Sequence, residues 1–165
     1  MKRLDLNTQV EVWEGLTELP SLDAELLKAA EAGLKNTYAP YSGFHVSAAL
    51  RLKNGATVVG TNQENAAYPS GLCAERVAFF SASSQYPGVQ IEAVAVVANS
   101  SLFSVDHPVA PCGACRQVML EYELKQANNI RIILKGTKGN IYTLSDIKGL
   151  LPLFFHENGL KKDQQ

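Results

Sequence analysis

The run Ile91-Glu92-Ala93-Val94-Ala95-Val96-Val97-Ala98 constrains this chain more than any other segment. Apart from Glu92 it is apolar on both alternating faces, so a strand formed here has to be covered on both sides. That requirement points to helices packed above and below a sheet. A length of 165 residues suits one such domain and is short for two.

The neighbouring segments supply the other parts. Phe44 to Leu52 alternates, with Phe44, Val46, Ala48, Leu50 and Leu52 on one face and His45, Ser47 and Arg51 on the other, the pattern of a half-buried strand. Asn54-Gly55 is a two-residue hairpin signal, and Ala56 to Asn62 forms the return strand. Ile130 to Leu134 and Ile141 to Leu144 are two further strands, joined by a Gly-rich link too short for a crossover helix and therefore antiparallel. After Leu19-Pro20, Ser21 is a candidate cap for a helix with Asp23 and Glu25 in its first turn. Leu22, Leu26, Ala29, Ala30, Gly33 and Leu34 form its apolar face, and Pro40 stops it near Tyr38. Two more helices open at Cys73-Ala74-Glu75 and at Cys112-Gly113-Ala114-Cys115, the second with Cys115, Val118, Met119 and Tyr122 on one stripe. The expected fold is α/β, three layers α-β-α around a mixed five-stranded sheet with the last two strands antiparallel. Residues 1–20 read as an N-terminal arm, 21–156 as the domain and 157–165 as a C-terminal tail.

A formal charge of -1 and a pI near 6.3, with no clustering of lysine and arginine, argue against a nucleic-acid partner and for a small ligand. No segment approaches the roughly 18 apolar residues of a membrane span. The basic start MKRLDLNTQVEVWEG is not followed by the apolar run of a secretory signal, so a cytoplasmic location is expected. Three cysteines cannot all pair within one molecule, and cytosolic thiols stay reduced, so metal binding or burial is favoured over disulfides.

Both cysteine motifs lie where a helix begins, and positive helix N-termini favour the thiolate that a metal needs. Cys112 and Cys115 have the two-residue gap that lets both sulfurs grip one ion. Cys73 as third ligand leaves a fourth position open, the arrangement of catalytic rather than structural zinc. One Cys-x-x-Cys is a weak signal. Cysteine with glutamate two positions on, here Cys73 and Glu75, followed by Pro111-Cys112-x-x-Cys115, is far more specific and matches the pattern of zinc deaminases. Two other readings stay open on the cysteines alone: three buried thiols without metal, or a closed structural site completed by His45, His107 or His156.

Further segments carry a resemblance: YAPYSGFHVSAAL at Tyr38 to Leu50, NQENAAY at Asn62 to Tyr68, CAER at Cys73 to Arg76, PCGACRQV at Pro111 to Val118 and LLPLFF at Leu150 to Phe155. Taken together, the chain resembles the cytidine deaminases of the short-chain, homotetrameric class. The resemblance implies one zinc ion per chain on Cys73, Cys112 and Cys115, and Glu75 as proton shuttle. It also implies Asn62 and Glu64 on the ribose 3'-hydroxyl, Phe44 against the pyrimidine ring and the Ala74 backbone on the base. Ala66, Tyr68 and Phe155 match residues that reach the substrate of a neighbouring subunit, and Arg76 matches a donor to a ligand thiolate. Gly43 and Ser47 stand where the family pattern has a basic residue and a glycine, and Leu153-Phe154 where it has two small residues.

The implied activity is hydrolytic deamination of cytidine and deoxycytidine to uridine and deoxyuridine with release of ammonia, a step of pyrimidine salvage. Three rivals share parts of the pattern. A deaminase of a nucleoside antibiotic such as blasticidin would share CAE and PCGxCR without the ribose-reading NQENAAY. A polynucleotide deaminase is disfavoured by the charge and by the missing helix between the last strands. A zinc-stabilised binding protein would need a fourth protein ligand, and none lies at short spacing.

Overall fold

The computed structural model describes residues 1–156. The C-terminal tail at 157–165 therefore lies outside the described residues. Strand β1 (Glu11–Trp13) is followed by helix α1 (Ser21–Gly33), strands β2 (Phe44–Leu52) and β3 (Thr57–Thr61), helix α2 (Ala74–Gln85), strand β4 (Ile91–Ser100), helix α3 (Gly113–Gln126) and strands β5 (Arg131–Lys135) and β6 (Ile141–Leu144). Short 3-10 turns occupy Leu34–Asn36, Tyr68–Ser70 and Lys148–Leu150.

The strands form one mixed sheet in the order β1-β6-β5-β4-β2-β3. β4 is its centre, antiparallel to β2 and parallel to β5, and Ala93 to Ala98 are all buried, as a doubly covered strand requires. Alternate side chains of β2 and β4 feed two separate cores. Ala48, Leu50, Val94 and Val96 pack with α2 and α3 on one face; Ala49, Ala93, Ala95 and Val97 pack with α1 on the other. β5 and β6 are antiparallel, and the Asn54-Gly55 turn reverses the chain with Gly55 at φ +85°.

The sheet has six strands rather than the expected five. The sixth is β1, from the segment read as an arm, which pairs antiparallel with β6 through Glu11↔Thr143, Val12↔Tyr142 and Trp13↔Ile141. Side chains anchor it as well: Trp13 Nε1 donates to Thr143 Oγ1 at 3.0 Å, and Thr143 Oγ1 donates to Glu11 Oε2 at 2.7 Å.

Helix α1 also differs from its sequence expectation. Pro20 takes the N-cap position and Ser21 is already helical, with no side-chain cap. Leu22 is exposed and Asp23 is buried in its place, because Asp23 Oδ2 accepts from Arg131 Nε at 2.7 Å and Oδ1 from Arg51 Nη1 at 3.3 Å. The helix stops at Gly33, tightens into the 3-10 turn and ends where Thr37 becomes extended, short of Tyr38.

Two features set the helices that carry the site. Gly60 of β3 lies under α2 so closely that an added Cβ would stand 2.3 Å from Ala78 N and 2.5 Å from Ala74 O, so a larger residue would lift the start of α2 off the sheet. In α3, Glu123 is buried, and its Oε2 accepts from Ile130 N at 2.9 Å and Ile147 N at 2.8 Å. This carboxylate ties the end of α3 to the start of β5 and to the segment after β6.

Candidate metal centre and substrate cavity

The chain turns from extended backbone into helix at Cys73, the N-cap of α2, and again at Cys112, the N-cap of α3. Two cysteines are thereby held at positive helix ends, and Cys115 joins them from the first turn of α3. The sulfurs of Cys73, Cys112 and Cys115 all lie within 4.8 Å of one another, with Cys112 Sγ and Cys115 Sγ 3.5 Å apart. A tetrahedral zinc with Zn–S bonds of about 2.3 Å separates its sulfurs by about 3.8 Å, so this donor set fits the ion with small adjustments. No histidine joins the group among the described residues; His45 Nδ1 is instead 2.7 Å from Thr37 Oγ1.

The electrostatics point the same way. The Cys73 thiol is lowered to about 5 by its hydrogen bond with Cys115 and by Arg76, against the opposing effect of burial. Cys115 is pushed up by its hydrogen bond with Cys73 and by burial. Arg76 Nη2 donates to Cys73 Sγ at 3.8 Å, while its buried Nε has no hydrogen-bond partner. A cluster of sulfurs with a cation alongside it suits a centre in which the thiolates are metal-bound.

Glu75, in the first turn of α2, is 4% exposed. Burial raises its carboxyl above the ordinary value, and the neighbouring Cys73 charge pushes in the same direction. A carboxyl tuned upward is suited to taking and giving a proton near neutral pH.

Glu75 and Cys73 open onto a cavity of about 700 Å³, within the range of small-molecule sites. Phe44, Asn62, Glu64, Tyr68, Arg76 and Cys112 also line it. Glu64 is anchored by three donors: Oε2 accepts from Tyr41 N at 2.8 Å and Ser42 N at 3.2 Å, and Oε1 accepts from Ser42 Oγ. The Ser42 hydroxyl and these backbone donors hold its carboxyl below the ordinary value, so it stays ionised. Asn62 bridges the start of β2, with Oδ1 accepting from Val46 N at 2.9 Å and Nδ2 donating to Phe44 O at 2.8 Å. One N–H and one lone pair of that amide remain for a ligand.

The sequence-derived site residues thus divide. Phe44, Asn62, Glu64, Tyr68, Cys73, Glu75, Arg76 and Cys112 share one cavity; Cys115 and Ala74 are fully buried behind it. Ala66 and Phe155 are exposed and do not line the cavity within one chain. The Phe155 carbonyl accepts from Gln117 Nε2 at 3.0 Å. Sequence reasoning passed over Tyr41 and Ser42, which orient Glu64, and Val109 and Ala110, which line the wall before Cys112. The first pair lay inside the YAPYSGF motif, whereas the second carried no chemical signal.

Three clustered thiols that fit a metal ion, with a buried carboxyl and an ionised carboxylate on the adjoining cavity, suit metal-assisted hydrolysis. Comparison with known proteins narrows the class. The family model for the cytidine and deoxycytidylate deaminase zinc-binding region matches residues 20–129. The cytidine deaminase of Halalkalibacterium halodurans is 42% identical over 127 residues, 77% of this chain and 89% of that protein. The cytidine deaminase of Sporosarcina psychrophila is 41% identical over 144 residues, 87% of this chain and 95% of that protein. The crystal structure of the cytidine deaminase from Burkholderia pseudomallei superposes with a TM-score of 0.68 at 41% identity, covering 79% of this chain and 97% of that one. The chain belongs to the zinc-binding cytidine and deoxycytidylate deaminase family.

Proposed function

We propose that this chain is a hydrolytic deaminase of the free nucleosides cytidine and deoxycytidine, producing uridine or deoxyuridine and ammonia. The observation that carries the reading is the cluster of the Cys73, Cys112 and Cys115 sulfurs beside a cavity that Cys73, Cys112, Glu75 and the ionised Glu64 all line. Cys73, Cys112 and Cys115 would hold the zinc, which when bound would supply the Lewis acidity that brings water's ionisation into the neutral range. Glu75 accepts one proton of the attacking water and transfers it to N3 of the pyrimidine as C4 is attacked, then takes the remaining hydroxyl proton and delivers it to the amine, which leaves as ammonia as the C4 carbonyl forms. Phe44 packs against the pyrimidine, and the Ala74 backbone contacts the base. Glu64, with the free N–H of Asn62, binds the ribose 3'-hydroxyl and so holds C4 in place. Arg76 offsets the negative charge of the thiolates.

The working unit is a homotetramer. Tyr68 is 75% exposed and Phe155 66% exposed, large apolar side chains suited to completing a neighbour's site together with Ala66. No helix among the described residues is long and apolar enough to cross a membrane. The protein serves cytoplasmic pyrimidine salvage and takes neither nucleic acid nor lipid as partner.

Ammonia release from cytidine, deoxycytidine, cytosine and blasticidin tests the reading in one panel. Turnover of both nucleosides with little from the other two is expected. Preference for blasticidin, or no release from any of the four by zinc-loaded protein, would overturn it.

A further inference from the structure

Phe44 is the first residue of β2, and its backbone is fixed on three sides. Its N–H donates to Ser42 Oγ at 3.0 Å, its carbonyl accepts from Asn62, and it pairs in register with Ser100 of β4. Its side chain is less constrained, because it stands half-buried at the cavity wall where the strand begins. A ring in that position presents a constant face to a ligand only if something holds its rotamer.

The segment after β4 provides such a hold. Phe103 stacks on Phe44 with ring centroids 6.2 Å apart and planes inclined by 22°. Phe103 is not among the residues that line the cavity. At 59% exposure it is not a core residue either. The backbone carrying it is seated against the start of β2: Ser101 N donates to Gly43 O at 2.9 Å, and Leu102 N donates to Ser100 Oγ at 3.1 Å. Gly43 permits this approach. It sits at φ +61°, and an added Cβ would lie 2.6 Å from Ser101 Oγ and 3.2 Å from Leu102 Cγ. Farther along, Val105 is buried and its carbonyl accepts from Thr137 N at 2.8 Å, so the loop is pinned beyond Phe103 as well.

We propose that Phe103 is a positioning residue for the substrate base, its ring holding Phe44 in the rotamer that packs on the pyrimidine. The inference rests on the reading of Phe44 as the base platform. Phe103 acts through Phe44 on binding of the base in the ground state and transition state alike, so its loss raises KM and leaves kcat nearly unchanged. An offset aromatic pair of this kind corresponds to a change on the order of 3- to 10-fold in kcat/KM.

The test compares Phe103→Ala, Phe103→Leu and Phe103→Tyr in the zinc-loaded full chain, alone and combined with Phe44→Ala, by kcat and KM for cytidine. Zinc content, melting temperature and light scattering accompany each variant. Phe103→Ala and Phe103→Leu are expected to raise KM by about 3- to 10-fold, and Phe103→Tyr to restore it, because a ring and not mere bulk is required. In the Phe44→Ala background, Phe103→Ala should add nothing, as two residues acting as one unit predict. An unchanged KM in Phe103→Ala beside a raised KM in Phe44→Ala would overturn the role of Phe103 while sparing that of Phe44. An unchanged KM in Phe44→Ala would remove the base platform and this inference with it. Full rescue by Leu, or loss of assembly in Phe103→Ala, would assign the side chain to packing or a subunit contact and overturn the proposal.

Discussion

Arg76 Nη2 and Cys73 Sγ stand 3.8 Å apart at the start of α2, a cation against the sulfur that begins the helix. Three thiolates around a divalent ion leave a net charge near -1, and Arg76 is the cation placed to offset it. Arg76→Gln is expected to weaken zinc binding by about 10- to 100-fold and to lower kcat, measured by competition with a chromophoric chelator and by turnover. Wild-type zinc affinity and activity in this variant would reduce Arg76 to a bystander.

In the proposed mechanism Glu75 moves protons and does not coordinate the metal. Glu75→Gln should therefore retain about one zinc per chain while losing about 10²–10⁴-fold in kcat, with metal content read by atomic absorption. A folded, zinc-loaded Glu75→Gln protein with near-normal turnover would defeat the assigned mechanism.

Glu64 is held in place by Tyr41 and Ser42 as an ionised acceptor facing the cavity. A site built to hydrogen-bond a substrate hydroxyl rejects an analogue lacking it by up to roughly 10⁴–10⁵-fold when its polar groups are fully buried, and by less at the half-buried Glu64. The wild-type enzyme should accordingly favour cytidine and deoxycytidine over cytosine and 3'-deoxycytidine. Glu64→Gln should damage the good substrates most and compress the ratio of kcat/KM values. A ratio untouched by the substitution would leave Glu64 as a turn residue that merely secures Ser42.

Phe155 and Tyr68 are tested by assembly. Deleting the chain from residue 151 onward removes Phe155 while keeping every cysteine, Glu75 and the Leu150 carbonyl that accepts from Arg116 Nη1 at 2.8 Å. The truncated protein should lose activity and tetrameric mass together in light scattering coupled to chromatography. A wild-type chain that is fully active as a monomer would count against cross-subunit completion of the site.

Glu11 gives the edge of the sheet a pH dependence. Hydrogen bonds from Thr143 and then Arg131 hold its carboxyl below the ordinary value in the folded protein. A lowered folded pKa means that the stabilisation is present above the unfolded value of about 4.3 and is lost as pH falls through the folded value. Glu11→Gln should lower the melting temperature at neutral pH and reduce its decline below about pH 4. Parallel acid limbs for the two proteins would show that Glu11 contributes nothing to the edge.

The patterns that local spacing encodes were legible in the chain itself. The doubly apolar Ile91 to Ala98 run did become the central strand, and Asn54-Gly55 did make the hairpin. Cys73 and the Cys112–Cys115 pair did begin helices, because a cap, a two-residue gap and a strand period are properties of a few consecutive residues. Tertiary structure decided what depends on a partner far away in sequence. Glu11–Trp13 is three residues long and has no period to read; it becomes a strand because β6 offers Thr143 and an open edge 132 residues after Glu11. Asp23 reads as a first-turn carboxylate and Glu123 carries no signal of its own, yet Arg51 and Arg131 draw in the first, and the Ile130 and Ile147 amides draw in the second. Phe103 carries no signal in its own neighbourhood and acquires one only when β2 and β4 pair and bring its ring over Phe44. Hydrophobic period reports which face of an element turns inward, whereas the burial of a charge or the hold on a ring is set by groups that meet only after the chain has folded.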